Sequence, residues 1–187
     1  MGFRRSIGMT IGVMVVLSLF VVSAHAEEET ITFESDNTTT FASAPFNFNG
    51  EGVANYAFFT GVSTQGPLSG QGVSQSAPTG NSCTLPDGSS GIELKLVDHV
   101  AVTRFEPGDL LFERGQPGDL TACLDLTSGR FHEEGRVHIT GGTGRFRGAS
   151  GYYDATQDGQ VLVPPGAQAL QFGYATATYR YTLTVPK

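Results

Sequence analysis

The sequence predicts an all-β protein built as a sandwich or barrel of antiparallel strands, with negligible helix in the mature chain. Short segments alternate apolar and polar residues, and no segment has a helical period. Glycine and proline turn signals recur about every 8 to 12 residues, which is typical of sandwiches and barrels. A closed barrel accounts best for so many strands in one domain, because closure removes exposed strand edges.

Residues 1–26 are organised like a secretory signal peptide. Arg4 and Arg5 form a positive n-region, the following segment is mostly apolar, and Ala24-His25-Ala26 is a small-x-small cleavage site. Glycine, threonine and serine interrupt the short apolar segment, which disfavours an uncleaved membrane anchor. We therefore expect a secreted or periplasmic protein whose residues 27–187 form one domain, with the export route left open.

The charge of the mature chain disfavours polyanionic partners. Of the 11 basic residues two lie in the signal segment, which leaves 9 against 18 acidic residues and a formal charge of −9. An acidic surface repels phosphate backbones and anionic lipids. We therefore expect no nucleic acid partner, and no membrane partner after signal cleavage.

Cys83 and Cys123 are the only cysteines in the sequence. An even count in an exported chain favours one disulfide, and two buried free thiols are the alternative. Neither residue lies in a C-x-x-C motif or beside a histidine, which disfavours a catalytic cysteine. We predict one disulfide that closes a loop of about 40 residues.

The predicted strands follow from the alternation and the turn signals. They cover Thr30–Thr40, Val53–Thr64, Ser69–Ser76, Ile92–Leu96, Val100–Phe105, Leu110–Arg114, Leu120–Leu124, Arg130–Thr140, Tyr152–Gln157 and Ala175–Val185. Polar loops are predicted at Phe41–Gly52 and Ala77–Ser90, and a two-residue hairpin turn at Asp98-His99. The segments Pro107-Gly108 and Pro117-Gly118 have the composition of type II turns.

A glycine-rich segment between two predicted strands organises the C-terminal half. Its glycines and one aromatic residue are Gly141, Gly142, Gly144, Phe146, Gly148 and Gly151. The spacing fits neither a dinucleotide fingerprint, which needs G-x-G-x-x-G, nor a Walker loop, which needs G-x-x-x-x-G-K-[ST]. We therefore predict a structural chain reversal in which glycine supplies positive φ and close packing, and we expect no cofactor.

The segment from Gly141 to Tyr152 resembles the G-G-[ST]-G-x-F-x-x-A-x-G-x signature shared by the allene oxide cyclase barrel and the plant dirigent proteins. Bacterial exported members of this group are more similar still, including at the stretches Cys83–Gly91 and Gly108–Leu111. The resemblance covers the chain from about residue 30 onward. It implies one antiparallel eight-stranded barrel with an axial cavity, often assembled as a trimer or dimer, and it transfers no catalytic residue.

One carboxylate is placed unusually by the strand pattern. The strand Arg130–Thr140 has polar even positions, and its opposite face carries Phe131, Val137 and Ile139. Glu133 shares this apolar face, so strict alternation directs it into the barrel. Desolvation there would raise its pKa unless a cation meets it.

Arg104, in register with Val100 and Val102, is the candidate partner of Glu133. Two other interpretations of Glu133 remain open. In the first, Gly135 marks a bulge that turns Glu133 outward. In the second, Glu133 lies at the solvated mouth of the barrel.

Tyrosines and histidines are the remaining candidates. Three tyrosines are predicted to face the interior, as ligand contacts or as packed core: Tyr153, Tyr179 and Tyr181. His132 and His138 share a face with Glu134, but the two histidines lie about 20 Å apart in an extended strand, too far for one metal ion. His99 is expected to be solvated in a turn, so we predict no metal site.

Three functions fit the sequence. The first is an exported barrel that binds a small apolar or phenolic molecule, or acts as a structural module without turnover. The second is a cyclase, isomerase or stereo-directing protein, as the family resemblance implies, with Glu133, Arg104 and a cavity tyrosine orienting a reactive intermediate. The third is a filled barrel that works through its surface in a homo-oligomer.

Overall fold

A computed structural model describes residues 27–44, 52–162 and 171–187. The predicted signal peptide, residues 1–26, lies outside the described residues. Nine strands and one short 3₁₀ turn occur within these ranges. The strands are β1 Glu28–Ala44, β2 Val53–Ser63, β3 Gly66–Thr84, β4 Ser90–Phe105, β5 Asp109–Gly115, β6 Leu120–Leu124, β7 Arg130–Gly142, β8 Ser150–Val161 and β9 Gln171–Pro186, and the 3₁₀ turn is Gly144–Phe146.

The strands form a closed ring of eight antiparallel positions, which confirms the all-β prediction. Each of β1, β2, β3, β7 and β8 pairs with the next strand in sequence, and β9 returns to pair with β1. The short strands β5 and β6 share one position, because both pair with β4 on one side and with β7 on the other. Every strand edge in the ring therefore has a partner over part of its length.

The end of the ring that holds the glycine segment is packed solid. Phe33 stacks on Tyr181 with ring centroids 4.4 Å apart, and its edge meets Phe105 at 5.8 Å. Phe105 in turn packs against Phe146, at 5.1 Å between centroids. Leu183, Val137 and several other inward side chains are fully buried around them. This aromatic core stabilises one half of the ring.

The glycine segment reverses the chain between β7 and β8, as predicted. Gly144 and Gly151 have φ of +58° and +135°, which side chains adopt only rarely. A Cβ on Gly151 would also collide with the carbonyl oxygen of Thr182. The reversal places Phe146, which is fully buried, into the packed end of the ring, and Arg145 covers its face at 4.8 Å.

The predicted disulfide is present. Cys83 and Cys123 are bonded, with their Cα atoms 5.8 Å apart. Cys83 lies opposite Gly91 of β4, and Cys123 lies opposite Glu93 of the same strand. The disulfide therefore joins β3 to β6 across β4.

The predicted hairpin at Asp98-His99 is wrong, because β4 is one continuous strand. Gln75 pairs with Asp98 whereas Ser76 pairs with Leu96, which leaves Val97 as an extra residue on β4. An extra residue reverses the alternation of the side chains that follow it. Leu96 therefore points inward before the bulge, and the odd-numbered residues point inward after it.

Other strand boundaries also differ from the sequence predictions. β1 continues to Ala44, and β3 continues through Pro78 to Thr84, where a polar loop was predicted. Polar β3 residues form a strand there because they pair with β4, with a second register shift between Pro78 and Ser82. The predicted type II turn at Pro117-Gly118 is confirmed, because Asp119 N donates to Gln116 O and Gly118 has a φ of +86°. The type II turn predicted at Pro107-Gly108 is wrong. Gly108 N donates to Phe105 O, which places Pro107 at the third position of that turn, after a cis Glu106–Pro107 bond.

The outer face of the ring carries an exposed apolar band across adjacent strands. Phe172, Ala42, Tyr56, Val73 and Val100 follow one another in register from β9 through β1, β2 and β3 to β4. All of these except the alanine are exposed large apolar residues, as are the neighbouring Phe58 and Tyr174. Bands of this kind mark interaction surfaces more often than single exposed residues do. Among the described residues no helix has the length and apolar character needed to cross a membrane.

The disulfide is predicted to contribute to the free energy of unfolding. Its two cysteines are separated by 40 residues. In the chain-entropy model, replacing both by serine lowers the free energy of unfolding by about 4 kcal/mol, because the unfolded chain gains freedom. Urea denaturation of the oxidised protein and of the double variant measures the difference. Equal stability, or two free thiols in the denatured wild-type protein, would contradict this prediction.

Candidate functional site

The half of the ring away from the glycine segment is hollow. It holds a cavity of about 170 Å³ whose wall includes Ser43 and Gln171, a register pair where β1 ends and β9 begins. Apolar side chains form most of the wall, among them Phe41, Phe59, Leu94, Leu120, Leu124 and Phe131. The polar groups on the wall include Glu113, Glu133, His99, Tyr153, Tyr179 and Gln157.

Small inward residues create this cavity. Ala122 of β6 and Ala155 of β8 line it, as do Ala57 of β2 and Gly72 of β3. In the packed half the inward residues of β3 and β9 are larger, Leu68 and Leu183. An interior position filled by alanine or glycine leaves a volume that its neighbours cannot close. The small inward residues therefore leave the space that the large residues on the same wall do not fill.

Glu113 is a buried carboxyl group at the inner end of the cavity. The residue is only 4% exposed. Thr103 Oγ1 donates to Oε1 of Glu113, and the Tyr153 hydroxyl donates to Oε2 at 3.1 Å. Burial raises the pKa of Glu113 to about 7, although both hydrogen bonds act to lower it.

Glu133 lies on the inner face of β7 and lines the cavity. The pairing of β7 with β8 runs unbroken from Arg130 to Ile139, so no bulge at Gly135 turns Glu133 outward. Gly135 serves a different purpose, because a Cβ there would collide with the carbonyl oxygen of Asp119. Burial raises the pKa of Glu133 to about 7, while nearby His132 acts to lower it.

The two carboxyl groups lie at different levels of the ring. Glu113 pairs in register with Ile139, six residues further along β7 than Glu133. Burial is the largest cause that raises the pKa of Tyr179 on β9, and the nearby carboxyl groups of Glu113 and Glu133 raise it further. Its hydroxyl lies 3.5 Å from Oε1 of Gln157, the residue opposite Glu133 on β8. Tyr179 therefore links the two carboxyl levels of the cavity.

The three predicted tyrosines all point into the ring, but they divide between its two halves. Tyr153 and Tyr179 line the cavity, with ring centroids 4.9 Å apart. Tyr181 belongs to the packed core, where it stacks on Phe33. Burial raises the pKa of Tyr153 and Tyr181 well above the usual tyrosine range, so both hydroxyls stay protonated.

The prediction that Arg104 faces the interior beside Glu133 is wrong. Arg104 is exposed, whereas its neighbours Thr103 and Phe105 are fully buried. The bulge at Val97 is the reason, because it reverses which side of β4 faces inward. The valines that made the even-numbered side look internal belong to the outer face.

The same bulge brings His99 into the cavity wall, contrary to the expectation of a solvated turn residue. His99 Nε2 is buried and has no hydrogen-bond partner in the described part of the chain. Burial lowers the pKa of His99 to about 4, against the smaller opposing effect of Asp98, so the ring is neutral at pH 7. A neutral imidazole presents either a donor or an acceptor to a ligand.

His132 and His138 lie outside the cavity wall. His132 Nδ1 lies 2.8 Å from Oδ1 of Asp158, and His138 Nε2 lies 3.7 Å from Oδ2 of Asp119. Across residues 27–44, 52–162 and 171–187, no group of three or more His, Cys, Asp or Glu side chains is arranged to hold a metal ion.

Known proteins provide no independent assignment of the site. No protein-family model matches the chain, and no curated protein shows significant sequence similarity to it. The site is therefore defined by its own geometry: an apolar cavity with two carboxyl groups, two tyrosines and a neutral histidine.

Sequence reasoning found Glu133 and the tyrosines but missed Glu113 and His99. Glu113 lies in the segment Leu110-Leu111-Phe112-Glu113, where apolar residues on both faces hide the alternation. The available signal was its spacing from Leu111 and Gly115, because alternate residues of a strand face the same side and both of these are buried. His99 had no readable signal, because its direction depends on a bulge that is visible only in the pairing with β3.

The buried Glu113 is predicted to make stability depend on pH. In the unfolded chain its pKa is near 4.5, whereas in the folded protein it is about 7. Stability from this group is thus full below pH 4.5 and is lost as the pH rises to 7, by about 3 kcal/mol in total. Glu113→Gln should remove this loss, because the amide does not ionise.

The measurement is urea denaturation of wild type and Glu113→Gln from pH 4 to 8, with exposed Glu134→Gln as the control. The difference between wild type and Glu113→Gln isolates Glu113 from His99, whose lowered pKa makes stability rise between about pH 4 and 6.5. A difference that does not change with pH would show that Glu113 ionises normally in the fold.

Proposed function

We propose that this chain is an exported β-barrel protein that binds a small apolar or phenolic molecule in the hollow half of the ring. The observation that carries the proposal is the cavity of about 170 Å³, with apolar walls and a few inward polar groups. An apolar cavity of about 150 Å³ accommodates a benzene ring. A ligand of one ring with a short substituent therefore suits the available volume.

The residues proposed to contact this ligand are Glu133, Tyr153 and Tyr179, joined by Glu113 and His99. Each lines the cavity. A phenol would place its ring among Phe41, Phe131 and the tyrosines. Its hydroxyl would donate a hydrogen bond to a carboxyl or imidazole acceptor. A purely structural role for the barrel is the alternative without a ligand.

The family, the compartment and the assembly belong to the same proposal. The glycine segment that resembles the allene oxide cyclase and dirigent group supports an eight-stranded barrel of that type. The disulfide favours a secreted or periplasmic location, because such bonds persist in oxidising compartments. The exposed apolar band on the outer face supports a homo-oligomer, a trimer or dimer, and light scattering that gives a monomer would oppose it.

A second candidate function is a cyclase or isomerase that acts on a molecule held in the cavity. It is favoured by the two cavity carboxyl groups, whose pKa values burial raises to about 7. A group with a pKa near the working pH donates and accepts protons efficiently. If there is turnover, Glu133→Gln should abolish it, and Glu134→Gln on the outer face should leave it intact.

Filling the cavity is predicted to abolish ligand binding. Ala155 is a buried cavity-lining residue of β8, and Ala155→Leu occupies part of the cavity. Calorimetric titration with phenol and with toluene should show binding to the wild-type protein and at least a roughly tenfold weaker affinity for the variant, because the ring no longer fits.

Thr156→Leu is the matched control, because Thr156 is the next residue of the strand and is exposed on the outer face. It should bind both probes as the wild-type protein does. Circular dichroism confirms that each variant is folded. Failure of the wild-type protein to bind either probe, or equal binding by Ala155→Leu, would refute a ligand in this cavity.

A further inference from the structure

The cavity contains negative ionisable groups without a positive one. Glu113 and Glu133 both line it, and no lysine or arginine occurs among its described lining residues. Arg104, which the sequence suggested as an internal cation, is exposed on the outer face. His99 does not compensate, because burial keeps its imidazole neutral at pH 7. The cavity therefore has two acidic groups and no basic side chain to pair with them, so it favours a positively charged ligand.

The two carboxyl groups differ in how the protein satisfies them. Both oxygens of Glu113 are engaged, one by Thr103 and one by Tyr153. Glu133 has no hydrogen bond and no ion pair to its carboxyl group from residues 27–44, 52–162 or 171–187, although it is one residue from a histidine on the other face. A half-buried carboxylate that faces a largely apolar cavity without a partner is costly, and a cation brought by a ligand offsets that cost.

The surroundings of Glu133 also suit a cation. Phe131, two residues away on the same face of β7, meets the edge of Phe41 at 5.7 Å between centroids, and both line the cavity. Tyr153 and Tyr179 form a second aromatic pair on the wall. Aromatic faces attract ammonium groups. His99 adds a buried Nε2 with no described partner, which accepts a hydrogen bond when the proton is on Nδ1.

From this arrangement we infer that the ligand is a small organic amine, with an apolar ring in the aromatic part of the cavity and its ammonium group on Glu133. The inference rests on the proposed function, because it keeps an apolar ring in the same cavity and adds an ammonium group in place of a phenolic hydroxyl. An ammonium group donates up to three hydrogen bonds, enough for Glu133 and a further acceptor on the wall. Carboxylate ligands are disfavoured, because the described lining offers no lysine or arginine to pair with them.

The test is a series of probes that share one ring and differ only in the substituent. Calorimetry of the wild-type protein at neutral pH compares benzylamine, benzyl alcohol, toluene and benzoate. Benzylamine should bind at least about tenfold more tightly than benzyl alcohol or toluene, because only its charge pairs with Glu133. Benzoate should not bind detectably.

Two glutamine variants separate the carboxylate from the remainder of the cavity. Glu133→Gln should reduce the affinity for benzylamine to that for benzyl alcohol and leave toluene binding unchanged. Glu134→Gln, on the outer face of the same strand, should retain the preference for benzylamine.

The outcomes distinguish this inference from the proposed function. Toluene and benzyl alcohol binding as tightly as benzylamine would overturn the amine inference and retain a small-molecule cavity. Tighter binding of benzoate would overturn it as well. Absence of binding by all four probes would overturn both. The comparison of probes on the wild-type protein decides the question even if Glu133→Gln fails to fold.

Discussion

Closure of the ring by the pairing of β1 with β9 is the constraint on which the other features depend. This ladder runs from Glu28 opposite Pro186 to Ser43 opposite Gln171 and joins the two ends of the described chain. Once it forms, every strand has an inner and an outer face, and the period of two in an extended chain assigns each side chain to one of them. A single extra residue, such as Val97, then moves every following side chain of that strand to the other side.

The interior combines two environments along one axis. Phenylalanine, leucine and tyrosine fill the end near the glycine segment, where Phe146 is inserted by the reversal. Alanine and glycine at the other end leave space, and the ionisable groups Glu113, Glu133 and His99 line this space. The packed half supplies the hydrophobic stabilisation, so the hollow half retains polar groups that would be destabilising in a solid core.

The sequence predicted those features whose signals are local. The alternation along Arg130–Thr140 placed Glu133 inward, the glycines marked the reversal, and two cysteines behind a predicted signal peptide indicated the disulfide. Features that depend on a neighbouring strand were missed. The bulge at Val97 requires the register of β3, and the wrong assignment of Arg104 and His99 follows from it. The part of β3 from Ala77 to Thr84 was also missed, because its polar residues become a strand only through pairing with β4.

The shared position of β5 and β6 has a consequence for how the chain tolerates changes in length. The connection between them leaves the ring through the side of its wall, whereas loops normally emerge at the ends of strands. Gly118 N donates to Leu96 O and Arg136 N donates to Asp119 O, so the second half of this connection is fixed to both adjacent strands. Gln116 and Pro117 are exposed, and the cost of lengthening an exposed connection grows slowly. Additional residues between them would interrupt the turn that joins Gln116 to Asp119, but they would extend sideways from the ring without entering the ladders that β5 and β6 form with β4 and β7.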